Sequence, residues 1–136
     1  MATSAFKKYN RFEDISNLIT VNNINGSGRT GDVIAHCALY KIGNLVVGGM
    51  RFKSSSTGSD VTKGTYIASG FPLPDISESD DSGRKGAPVI STSNGSGYNA
   101  YIESGTGYLR MDKYTTTLTA GSAFTFSIMY PCKASV

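Results

Sequence analysis

The stretch "VIAHCALYKIGNLVVGGMRFK", Val33 to Lys53, restricts the possible folds of this chain more than any other. Two apolar runs flank Gly43-Asn44, and a pair of turn-forming residues between such runs signals a tight β-hairpin. With Gly43 and Asn44 as the loop, Ile42 faces Leu45, Cys37 lies opposite Met50, and Ala35 lies opposite Phe52. One face then carries Ala35, Cys37, Leu39, Val46, Gly48, Met50 and Phe52, which is a core face. The other carries Ile34, His36, Ala38, Tyr40, Ile42, Leu45, Val47 and Arg51, which is too apolar for plain solvent exposure. One face can pack on a partner sheet. The second needs either the domain's own loops or another subunit. In the second case Tyr40, Ile42, Leu45 and Val47 sit at the subunit contact.

The rest of the chain reads the same way. "GYNAYIESGTGYLRMDKY" places Ala100, Ile102, Leu109 and Met111 on a core face, with "SGTG" as the turn. "AFTFSIMYP" sets Phe124, Phe126, Ile128 and Tyr130 on one side, with Thr125 and Ser127 on the other. "GTYIASGFPLP" is a short strand ended by Pro72 and Pro74, because proline cannot continue a central ladder. "APVIST" supplies another strand. The only helix-like spacing is in "KKYNRFEDISNLI", through Tyr9, Phe12, Ile15 and Ile19. The 136 residues fit one domain, and 16 glycines with many Ser and Thr suit numerous turns. The expectation is an all-β chain of roughly seven or eight strands, an antiparallel β-sandwich of jelly-roll type. Residues 1–32 form a lead-in segment and residues 33–136 the sandwich head domain.

Several chemistries find little footing. Gly26, Gly28 and Gly31 spell G-x-G-x-x-G, but a dinucleotide loop opens a helix and has an acidic residue about 20 positions on. Here a strand follows, and no Asp or Glu occurs between Asp32 and Asp60, so a turn is expected. His36 is the only histidine, and Cys37 points to the opposite face of its strand, so they form no dyad. One His with two Cys is too poor a supply for zinc, and no metal or cofactor is expected. Cys37 and Cys132 read as free thiols in or beside strands. The acidic run Asp75, Glu78, Asp80 and Asp81 reads as a solvated loop, with Arg84 and Lys85 directly after it. A net charge of +3, dispersed in small groups, is no nucleic-acid stripe. No apolar run approaches the ~18 residues of a membrane span, and the first residues hold no apolar core of a secretory signal.

One constellation combines rings with planar polar groups: Asn99, Tyr101, Glu103, Tyr108, Arg110 and Asp112 share the outer face of two neighbouring strands. Saccharides offer C–H patches to rings and hydroxyls to polar groups, so this face is the candidate ligand site. Ordinary cross-strand pairing, including a Glu–Arg pair, is the alternative.

In order, "ALYKIGNLVVGGMRF", "GTYIASGFPLP", "AYIESGTGYLRM" and "LTAGSAFTFSIMYP" resemble the C-terminal receptor-binding head of phage or prophage tail-fibre and baseplate proteins. The likeness runs from Ile34 to Pro131 and involves β patterns without catalytic residues. The long acidic loop from Asp75 to Gly86 departs from that pattern. The resemblance implies a homotrimeric β-sandwich at a virion tail. It would be a non-enzymatic domain that contacts other tail proteins and attaches to bacterial cell-surface saccharide. It carries over no sugar-binding residue. A purely structural virion protein and a glycan hydrolase are the alternatives.

Overall fold

The computed structural model describes residues 12–21, 33–54, 66–75, 78–79, 85–93, 96–111, 121 and 123–134. Ten strands run through them: β1 (Phe12–Asp14), β2 (Thr20–Val21), β3 (Val33–Ile42), β4 (Leu45–Lys53), β5 (Tyr66–Ser69), β6 (Glu78–Ser79), β7 (Lys85–Ser93), β8 (Ser96–Glu103), β9 (Leu109–Met111) and β10 (Ala123–Pro131). They join one antiparallel sheet in the order β1-β3-β4-β10-β7-β8-β9-β5-β2, with β6 beside β7. The sheet curls into a half-barrel. The all-β antiparallel class expected from the sequence is therefore present, with the strands in one connected sheet.

The hairpin at Gly43-Asn44 forms, with Ile42 opposite Leu45 and Cys37 opposite Met50. Its register slips by one residue between Ile34 and His36. Ala35 is the bulged residue, so Ile34, not Ala35, lies opposite Phe52. A one-residue slip swaps faces. Ile34 accordingly turns inward against the core, and Ala35 is exposed.

The interior of the curl is the core. Leu39, Val46, Met50 and Phe52 from the hairpin meet Phe124, Phe126, Ile128 and Tyr130 of β10. Ala100, Ile102, Leu109, Met111 and Ile67 close the other limb. The Phe52 and Phe124 rings lie 5.9 Å apart, and those of Phe124 and Phe126 6.0 Å apart. Tyr130 buries its ring and donates its hydroxyl to the Pro72 carbonyl at 2.7 Å. That buried phenol has its pKa raised by desolvation.

The helix-like spacing around Phe12 to Ile19 does not make an α-helix. Only Ser16–Leu18 turn, as a short 3-10 segment between β1 and β2. Ile15 and Ile19 are buried, because this segment lays two apolar side chains onto the core. Residues 12–21, within the stretch set apart as a lead-in, thus contribute two strands to the sheet. Residues 7–11 of the same spacing, and Gly26, Gly28 and Gly31, lie outside the described residues.

Gly48 sits inside β4 with φ +147°. A Cβ there would collide with the Ala38 carbonyl oxygen of the paired strand. Gly48→Ala should therefore destabilise the domain by about 2 kcal/mol or more, lowering the melting temperature by about 5 °C or more. Gly105→Ala, where an added Cβ meets nothing, is the control and should melt like the parent. Equal melting curves by circular dichroism would contradict this account of β4.

Candidate functional site

Two regions of the outer face hold the residues singled out above. The first spans β8, β9 and β5. Register places Pro88, Tyr101, Arg110 and Tyr66 side by side across β7, β8, β9 and β5. Because Ala100, Ile102, Leu109 and Met111 point inward, their neighbours Tyr101, Glu103, Tyr108 and Arg110 point outward.

Arg110 is the centre of this cluster. Its Nε lies 2.9 Å from Glu103 Oε2. Its guanidinium carbon stands 3.4 Å from the centroid of the Tyr66 ring. Tyr66 meets Tyr108 edge-on at 4.8 Å. Thr106 donates its hydroxyl to the other Glu103 oxygen at 2.8 Å. Burial pushes the Arg110 guanidinium down to about 10, so it stays charged at neutral pH. An ion pair so poorly hydrated gains from its extra partners, here a ring face and a hydroxyl.

The turn after β8 is built to hold this arrangement. Glu103 N–H donates to the Tyr108 carbonyl, and Gly107 N–H donates to the Glu103 carbonyl, each at 2.9 Å. Gly107 has φ +69°, and a Cβ on it would collide with the Phe71 carbonyl. Ser104 is half-buried, while Gly105 and Thr106 project into solvent.

Of the six residues read as one face, Tyr101, Glu103, Tyr108 and Arg110 lie together. Asn99 occupies the β8 position opposite Ile90, and Asp112 lies outside the described residues. Their exposure differs sharply. Tyr101 is buried, with its ring over Gly86, where an added Cβ would come within 2.7 Å of Cδ2. Arg110 is buried as well. Tyr108, Glu103 and Tyr66 are half-buried and form the accessible rim. Tyr66 was invisible to sequence reading, because its contact with Arg110 depends on the distant β5–β9 pairing.

The second region is apolar and covers β1, β3, β4, β10 and β7. Tyr40, Val47 and Met129 form one row across it, and Phe12, Ile42, Leu45 and Pro131 the next. Tyr40 and Val47 are half-buried, and Phe12 stacks on Tyr40 at 5.0 Å. Ile42 and Leu45 are exposed, as are Ile90 and Met129. His36 and Arg51 pair at the far end of the hairpin.

Cys37 and Cys132 are free thiols, half-buried and buried respectively, and burial raises the pKa of both. Among the described residues no three His, Cys, Asp or Glu side chains converge to hold a metal. No helix among them is long and apolar enough to cross a membrane. Comparison with protein-family models, curated proteins and solved structures gives no match.

The Glu103–Arg110 pair gives a direct test of how this cluster is held. Arg110→Met removes the ring contact and leaves the Glu103 carboxylate half-buried without its cation. It should lower stability by about 2 kcal/mol in urea unfolding. Adding Glu103→Gln to it should restore part of the loss. Two single losses that merely add would show that the pair is not coupled.

Proposed function

We propose that this chain is a non-enzymatic binding domain of phage-tail type that attaches to saccharide on a bacterial surface. The observation that carries the reading is the accessible rim of the Arg110 cluster. Half-buried Tyr66 and Tyr108 rings meet edge-on, Tyr66 faces the Arg110 guanidinium, and the Glu103 carboxylate paired with Arg110 accepts from Thr106 in the exposed turn. Rings offer stacking surfaces to sugar C–H groups, and the turn offers a hydroxyl and backbone groups. The ion pair and the β8–β9 turn fix these groups before any ligand arrives, which limits the ordering penalty of binding.

In this reading the two limbs of the curled sheet serve as the two layers of a sandwich head. Three copies assemble through the apolar outer region that includes Tyr40, Ile42, Leu45 and Val47, and Phe12, Ile90 and Met129 extend it. A patch of that kind on a small domain is a mark of a protein contact. The assembly sits at a virion tail and meets other tail proteins there.

The burial of Tyr101 and Arg110 favours a second reading. In it the same cluster only packs the outer face, and the domain is a structural virion protein without ligand. A glycan array of bacterial surface polysaccharides separates the two. Under the first reading the parent binds a defined set of glycans, and Tyr108→Ala with Thr106→Ala lowers affinity at least tenfold. Binding unaffected by this double variant would remove the site. An array without hits would support the structural reading.

A further inference from the structure

We infer that a second copy of this chain docks head-to-tail on the outer face, with Phe12 of one copy seated in a groove between β7 and β10 of the next. The inference rests on the self-association part of the reading above and not on its saccharide part.

The groove has a cause in the sequence. The β10–β7 ladder is only three pairs long: Thr125 with Thr92, Phe126 with Ser91, and Ser127 with Ile90. Continued, this register would bring Val89 and Pro88 against Ile128 and Met129. Pro88 has no N–H with which to hold the strands together. Where the ladder stops, a groove of about 370 Å³ opens, lined chiefly by Val47, Pro88, Val89, Ile90, Ile128 and Met129. Ile90 and Met129 on its walls are 69% and 70% exposed, the highest values among the large apolar side chains described.

Three observations choose the occupant. The first is size. A benzene-sized group fits a cavity of about 150 Å³, so a phenylalanine ring fits here with room to spare. Phe12 is 61% exposed at the edge strand β1, the most exposed aromatic ring described.

The second is area. In a head-to-tail contact Phe12, Ile42 and Leu45 of one copy meet Ile90 and Met129 of the next, and each set leaves on the order of 250 Å² of apolar surface in water, about a third of the ~800 Å² per partner in a standard interface. Phe12, Ile42 and Leu45 share one row of register partners, Met129 lies in the next row on the same face, and Ile90, opposite Ser127, lies in the row after that.

The third is charge. Asp14 lies two residues from Phe12 on β1 and is exposed. Arg51, also exposed, lies two residues from Gly49 on β4, and Gly49 is the register partner of the groove residue Ser127. With Phe12 in the groove, Asp14 of one copy can approach Arg51 of the next, and this complementarity sets the direction of docking. Donor ring and acceptor groove are different parts of one surface. Copies related head-to-tail, as in the trimer proposed above, would each present the ring to one neighbour and the groove to the other.

Disulfide trapping tests the contact directly. Phe12 and Ile90 lie four strand positions apart in the sheet order, on the order of 20 Å at ~4.8 Å per step. That is far beyond the ~7 Å limit for a disulfide within one chain, so any 12–90 bridge joins two copies. A Phe12→Cys plus Ile90→Cys variant, mildly oxidised, should give covalent oligomers on a non-reducing gel. Neither single variant should match it, nor the parent with its own Cys37 and Cys132.

Phe12→Asp should weaken self-association at least tenfold by sedimentation velocity while leaving the circular-dichroism spectrum of the folded chain unchanged. An oligomer that survives Phe12→Asp and forms no 12–90 bridge would overturn this docking and leave the homo-oligomer reading standing. A parent protein that is monomeric at tens of micromolar, as when its own residues cover the face, would overturn both.

Discussion

Between β1 and β2 lie only the residues from Ile15 to Ile19, yet β1 pairs with β3 at one end of the sheet and β2 pairs with β5 at the other. Laid flat, the nine strands of that path would hold their outer members about 38 Å apart, at ~4.8 Å per step. Five residues reach at most about 18 Å even when fully extended. The sheet must curl until this strap can span it. The strap is also fastened in the middle. Ile15 N–H donates to the Leu39 carbonyl at 2.9 Å, and Leu39 N–H donates to Ser16 Oγ at 2.9 Å. Hydrogen bonds from the Ser16 hydroxyl and from the Ser16 N–H hold the Asp14 carboxyl below the usual carboxylate range. Ile15 and Ile19 then sit on the core, so the strap that closes the curl also helps to fill it.

Curling assigns the two faces their tasks. Side chains on the inside crowd together, and the aromatic set of Phe52, Phe124 and Phe126 with Met50 and Leu39 excludes water there. The outside is stretched and open. An antiparallel sheet with one wet face normally alternates apolar with polar residues. The outside of β8 and β9 obeys this loosely, through Glu103 and Arg110. The hairpin end of β3 and β4 does not, because Tyr40, Ile42, Leu45 and Val47 all face outward. The strap relieves part of this, since Phe12 stacks on Tyr40, but Phe12 itself remains exposed.

The hairpin was legible because all of its information is local. Gly43-Asn44 sets the loop, and alternation then sets every partner until the bulge at Ala35. The bulge gave no signal, since Ile34 and Ala35 both suit a strand. The alternation of β8, β9 and β10 was legible for the same reason. The order of strands was not, because β2 with β5 and β5 with β9 are pairings between distant segments that no local pattern encodes. The strap illustrates the difficulty. Phe12 of β1 with Ile15 and Ile19 of the strap keeps a helical spacing, yet Phe12 points out while Ile15 and Ile19 point in. The same distance limit hid Tyr66 from the outer-face cluster and made Tyr101 and Arg110 look as available as Tyr108. Alternation tells which face a side chain takes, but only packing tells whether anything can reach it.

Pro88 divides the outer surface. On its β8 side register continues through Tyr101 and Arg110 to Tyr66, and the side chains there are aromatic and charged. On its β10 side the ladder fails and an apolar groove opens toward Met129, Val47 and Tyr40. Pro88 lies between the two, opposite Tyr101 on one side and without an N–H to extend the β10 ladder on the other. The two surfaces can therefore be occupied at the same time. Copies packed over the apolar region would leave Tyr108 and the turn at Thr106 uncovered, since these lie beyond β8. Conversely, a ligand at that rim would meet groups already fixed by Arg110 and would not need to disturb the groove. Assembly and attachment, if both occur on this sheet, are kept apart by the residue that ends the ladder.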